Sequence, residues 1–259
     1  MLIQIVHLVL ASITSINWVI LLILHCLHRE FRNPPGSLIA GDIASSLLSA
    51  ITVIYEIVKG TILQDFAYAD WKARAILFSY SDALIFWYLF SLCLEIYKIT
   101  QNPLDTKYDK RATIYHILNQ IIAVILTIFA LIFESTYSVD STYWISDRAF
   151  KLGKWGVHSI FLIGSVVLIV STIKTIKTHS RYLYRYIIFC LTFALIVASN
   201  VLSIFASERG YEIYAWVKWL IFVFATTWRI LEITVLNKYF NSLKNEAEAD
   251  RSSTYVPLN

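Results

Sequence analysis

Residues Ser79–His116 read SYSDALIFWYLFSLCLEIYKIT, then QNPLDTKYDKRA, then TIYH. The first part is a long apolar run with one acid in each half, Asp82 and Glu95. A short basic loop carrying Pro103 follows, and a second apolar run begins at Thr113. Apolar runs of about 20 residues have the length that crosses a hydrocarbon layer as a helix. The stretch therefore reads as the third helix of a membrane bundle, the loop after it, and the start of the fourth helix.

Composition carries that reading outward. The chain has 259 residues, 58% of them hydrophobic and only 15% charged, where a soluble domain carries about 25% charged residues. Seven spans fit the length: about 2–27, 38–58, 75–100, 113–133, 157–176, 187–206 and 216–240. The fold expected is an all-α integral membrane bundle of seven helices over residues 1–240. A short polar tail, 241–259, is expected to be disordered. Span one has no basic n-region and is too long for a signal peptide. No predicted span contains proline, so a kink has to come from glycine, serine or threonine.

Charge sets the orientation. The links on the side of the tail hold thirteen lysines and arginines, and the opposite links hold seven. The positive-inside rule puts the tail in the cytoplasm and the N-terminus outside. A basic inner face suits anionic lipid headgroups or an acidic cytosolic partner. Trp71, Trp144, Trp155, Trp216 and Trp219 fall near outer ends, as interface anchors do. Trp216 and Trp219, one helical turn apart, also fit the wall of an outer pocket. Cys26, Cys93 and Cys190 lie in apolar segments, where a thiol faces lipid or core. Cys26, beside His28 and Arg29, is a weak acylation candidate.

Ionisable groups inside spans are costly unless paired or wet, and each is a functional hypothesis. Asp42 lies about 6 Å inside span two. With Arg229 and Glu232 of span seven it forms either a structural ion pair or a switch. Glu56, Tyr80, Asp82, Tyr88, His158, Asn200, Lys218 and Trp219 fall in the outer half. Together they fit either a small-molecule cavity of polar groups in an aromatic wall or interhelical hydrogen bonding. Glu95, Tyr97 and Lys98 end span three. Glu95 reads as an interfacial ion pair near the headgroups, or as a lock to span six or the third inner loop.

The turn Arg32-Asn33-Pro34-Pro35-Gly36-Ser37-Leu38-Ile39, then Cys93-Leu94-Glu95-Ile96-Tyr97, Asn102-Pro103 and Tyr115-His116 follow one another in a recognisable order. Over about residues 29–116 this resembles the cyclic-AMP-receptor-like and secretin-like G-protein-coupled receptors of unicellular eukaryotes. The resemblance implies a plasma-membrane receptor that takes an extracellular ligand in the bundle and opens the inner ends of spans five and six to a heterotrimeric G protein. It implies a coupling surface of Arg32, Glu95, Tyr97, Asn102, Pro103, Lys107 and Arg111, with Lys177, Arg181 and Arg185 of the third loop. Span three ends in Glu-Ile-Tyr, where rhodopsin-like receptors have Asp-Arg-Tyr.

Other classes fit less well. A transporter or channel is the alternative, but no inverted repeat or proline-broken span is evident. A retinal protein needs a lysine deep in span seven, and Lys218 lies about 3 Å inside its outer end. No nucleophile motif, metal-ligand spacing or phosphate-binding glycine loop appears, so no enzyme activity, cofactor or nucleic-acid partner is expected. The partners expected are membrane lipids, a small-molecule ligand of unknown identity and the G protein.

Overall fold

The computed structural model describes residues 2–28, 32, 35–59, 68–105, 107–132, 148–176, 190, 194, 238 and 241–249. Five long helices account for most of them: α1 Leu2–Leu27, α2 Gly36–Ile57, α3 Tyr68–Gln101, α4 Tyr108–Ile132 and α5 Arg148–Ile176. A short helix, α6, covers 241–249. No strand occurs among the described residues. Each of the five long helices holds a segment apolar and long enough to cross a membrane: Leu8–Leu27, Gly36–Tyr55, Ser79–Gln101, Tyr108–Phe129 and Gly156–Thr175. Of the expected spans six and seven only residues 190, 194 and 238 are described.

Three helices begin earlier than the apolar runs suggest. α3 starts at Tyr68 rather than near Ala75, α4 at Tyr108 rather than Thr113, and α5 at Arg148 rather than Val157. Hydropathy marks the thickness of the hydrocarbon, whereas a helix runs on wherever its backbone hydrogen bonds can. The tail, expected to be disordered from residue 241, is helical over 241–249. Its SLKNEAEA composition favours helix. A loose Lys244–Glu248 pair lies along one face at 3.9 Å, and Leu243 is buried in the core.

α3 is the axis of the bundle. Of its Ser79–Gln101 segment 78% is buried, against 22% for the corresponding segments of α1 and α5. α2, α4 and α5 all pack on it, and α1 packs on α2. Gly41 sets the approach of α2: a Cβ there would come within 2.9 Å of three ring carbons of Tyr88. Only glycine lets that ring lie against the α2 backbone.

The outer helices are patterned inside out. α4 turns Ala112, Asn119, Ala123 and Thr127 inward, while Ile114, Ile117, Leu118, Ile121, Val124, Ile125, Ile128, Phe129 and Ile132 face outward and exposed. α1 and α5 do the same, burying Ala11 and Thr14, and Ser165 and Thr172, while Ile16, Ile23, Ile160 and Ile163 are exposed. Each half-exposed aliphatic would cost on the order of 1 kcal/mol in water, and soluble monomers rarely carry apolar faces this continuous. In lipid the cost vanishes and small residues are what helix packing needs. Seven buried hydroxyls are satisfied within their own helices: Thr14, Ser45, Thr52, Thr100, Thr127, Ser165 and Thr172 each donate to the carbonyl four residues back, at 2.7–2.9 Å.

Candidate functional site

The ends of four helices meet around the loop 102–107. Asn102 N–H donates to the Lys98 carbonyl at 2.9 Å, and Asp105 N–H to the Asn102 carbonyl at 3.2 Å. One Asp105 carboxylate oxygen accepts the Lys107 N–H at 2.9 Å. Such a turn holds its own shape. Tyr108 then opens α4, and its hydroxyl pairs with that of Ser37 in the first turn of α2 at 2.8 Å. On the far side, Gln101 donates to Thr175 at the end of α5, at 3.0 Å.

At the centre of this end stands Glu95. It was expected near the headgroups, but it is wholly buried. Its partner among the described residues is Arg111 of α4; span six and the third loop, the other expected partners, lie almost wholly outside them. Arg111 Nε donates to Oε2 at 3.0 Å and Nη2 to Oε1 at 2.5 Å. This is the two-pronged geometry in which guanidinium and carboxylate match best. Arg111 Nη1 also reaches Asp105. The arginine is therefore engaged by a buried carboxylate on one side and a loop carboxylate on the other. Asp105 is held below the usual carboxylate range, first by the Lys107 N–H and then by Arg111. One turn further along α3, Lys98 donates to the Tyr115 hydroxyl at 2.9 Å and lies 5.5 Å from the centre of that ring.

Polar contacts continue up the α3–α4 interface. Ser91 donates to Asn119 Oδ1 at 3.1 Å. Tyr88 Oη lies 2.9 Å from His116 Nδ1, Gln120 Nε2 donates weakly to Tyr88 Oη at 3.5 Å, and Tyr80 Oη donates to Gln120 Oε1. The result is an unbroken chain, Tyr80–Gln120–Tyr88–His116, well above the Glu95–Arg111 fork. On another face of α3, aromatic rings pack against α5. His158 stacks on Phe86 with centroids 4.4 Å apart, and Phe161 lies between Trp87, at 3.7 Å, and Phe90, at 5.2 Å.

Of the residues expected to bind a ligand, Tyr80 and Tyr88 are brought together, through Gln120. His158 is buried on the α5 side, and Asp82 is buried elsewhere on α3. Glu56 lies in the last turns of α2, with its side chain outside the description. Asn200, Lys218 and Trp219 lie outside the described residues. Of the switch and partner residues, Asp42 is buried beside Gly41, Glu95 is in the fork, Tyr97 is half-buried, Asn102 is exposed and Pro103 half-exposed. Arg181, Arg185, Arg229 and Glu232 lie outside the described residues. Arg111, expected on a coupling surface, is largely turned inward. Gln120, Asn119 and Asp105 were missed. The signal for the first two was present: they are the one amide pair in the apolar run of span four. Among the described residues no group of three His, Cys, Asp or Glu side chains is placed to hold a metal ion.

No protein-family model matches the chain, and no curated protein does.

Proposed function

We propose that the chain is a seven-helix receptor of the plasma membrane, its N-terminus outside and its tail cytoplasmic. In this reading it binds a small ligand in the outer half of the bundle and engages a heterotrimeric G protein through its inner loops. The observation that supports it most is the buried Glu95–Arg111 fork. A buried ion pair adds little net stability compared with apolar packing, so its value lies in having two states, closed and broken. The fork also ties α3 to the start of α4 beside a basic loop. Lys107, Lys110 and, at the end of α5, Lys174 are exposed there, ready for an acidic partner. Breaking the fork releases Arg111 toward the same surface.

The test is a G-protein and arrestin recruitment screen on the expressed full chain across ligand classes, with Glu95→Gln as a variant. Recruitment, and a raised ligand-independent signal in the variant, is the expected result. No recruitment with any ligand class, together with ion currents or substrate flux, refutes the receptor reading. A cysteine at Lys110 that reacts with a membrane-impermeant reagent from the outside refutes the orientation.

A further inference from the structure

The chain Tyr80–Gln120–Tyr88–His116 has hydrogen-bonding capacity left over. In the neutral tautomer whose Nδ1 accepts from Tyr88, Nε2–H is the ring's one donor. That Nε2–H, the second amide N–H of Gln120 and the lone pairs of Tyr80 Oη have no partner among the described residues. Gln120 is exposed on the flank of α4, and its outward neighbours Ile117, Ile121 and Val124 are exposed aliphatics. It is seven residues past Thr113, where the apolar run of α4 begins, about 10 Å along the helix axis. In a hydrocarbon layer about 30 Å thick that is well inside the layer, where lipid chains offer no hydrogen bond.

We infer that this flank is a binding site for a neutral lipid alcohol that enters sideways from the bilayer. Its hydroxyl donates to Tyr80 Oη and accepts from the Gln120 amide, and its hydrocarbon lies over Ile117, Ile121 and Val124. The depth selects the class. A phosphate or ammonium headgroup would have to be carried about 10 Å into the hydrocarbon at a cost of several kcal/mol, whereas a single hydroxyl arrives at a site with both a donor and an acceptor waiting. The inference rests on the receptor reading for what the site is for, and it names the ligand of the Tyr80–Tyr88 region as a membrane-borne alcohol.

The full chain in nanodiscs is photolysed with a diazirine-bearing octadecanol whose hydroxyl is at mid-chain, alongside its methyl ether. The expected result is saturable labelling of α3 and α4 by the alcohol, competed by the unlabelled alcohol. The ether should bind more weakly, and Gln120→Leu and Tyr80→Phe should each weaken binding about fivefold, the worth of one hydrogen bond. Tyr80→Phe removes one oxygen and keeps the ring, so it reports even if the leucine variant misfolds. Equal labelling by alcohol and ether overturns the inference, as does labelling unmoved by Tyr80→Phe. Efficient disulfide crosslinking between copies through Gln120→Cys, with no probe present, also overturns it, because a second chain then occupies the flank. Labelling without G-protein recruitment would count against the receptor reading and leave this site standing; recruitment without labelling would do the reverse.

Discussion

Replacing Arg111 by glutamine should be far more damaging than replacing its partner. Glu95 has no exposed side-chain surface, so loss of the guanidinium strands a carboxylate in a dry site. Breaking a buried pair from one side costs about 3–5 kcal/mol. Arg111 keeps 16% exposure and Asp105 keeps 25%, so water reaches the rim of the gap, and the lower end, about 3 kcal/mol, applies. Glu95→Gln leaves Arg111 with Asp105 and that same water. Its loss is nearer the 1 kcal/mol of one ordinary hydrogen bond. The double variant places two neutral amides side by side and should lose about 2 kcal/mol, less than the two single losses together. The interaction energy is then about 2 kcal/mol. Reversible unfolding in bicelles by steric trapping, run on all four proteins, measures it. A loss below about 1 kcal/mol for Arg111→Gln, with an interaction within the roughly 0.5 kcal/mol expected of independent sites, would refute the fork as a structural tie.

Gly41→Ala should destabilise the bundle by about 1–3 kcal/mol, the usual cost of overpacking, because the new methyl falls on the Tyr88 ring; the same unfolding assay reads it, and a neutral result would mean that α2 and α3 are not in close contact there. Asp105 supplies a pH dependence. Its folded carboxyl titrates below the usual range, so the loop gains from it fully at neutral pH and loses that gain as pH falls below about 4 through the folded value. Exchange protection of the Lys107 amide should follow this acid limb, and Asp105→Asn should flatten it. An acid limb unchanged in the variant would assign the titration to another group.

How far the sequence alone could reach depends on what each inference needed. Span existence needed only a local apolar average, so α1 and α2 were legible almost to the residue. The early starts of α3, α4 and α5 were not, because polar residues at a membrane edge are helical without being apolar. The Glu95–Arg111 fork joins residues sixteen apart across a turn. Glu95 was recognisable as a costly group, but its pairing with Arg111 depends on where α4 begins. Gln120 was hidden by averaging: one amide barely lowers the hydropathy of Tyr108–Phe129. The grouping of Tyr80 with Tyr88 was readable as a shared outer half of the span, while their joint orientation toward α4 needed the packing of α3. His158, at similar depth, faces another helix, which depth alone could not separate.

The small inward residues of α4 have a consequence for tolerance to change. Ala112, Ala123 and Thr127 are the shims that hold α4 at its distance from α3. Exchanges among isoleucine, leucine and valine on the outward face alter only what the lipid touches. One added methylene at Ala123 would lift the helix, and that single lift stretches the Tyr80, Tyr88 and Ser91 contacts together. The spacing of the hydrogen-bond chain is thus written in residues that take no part in it, and a variant that disables the seam need not touch any polar group in it.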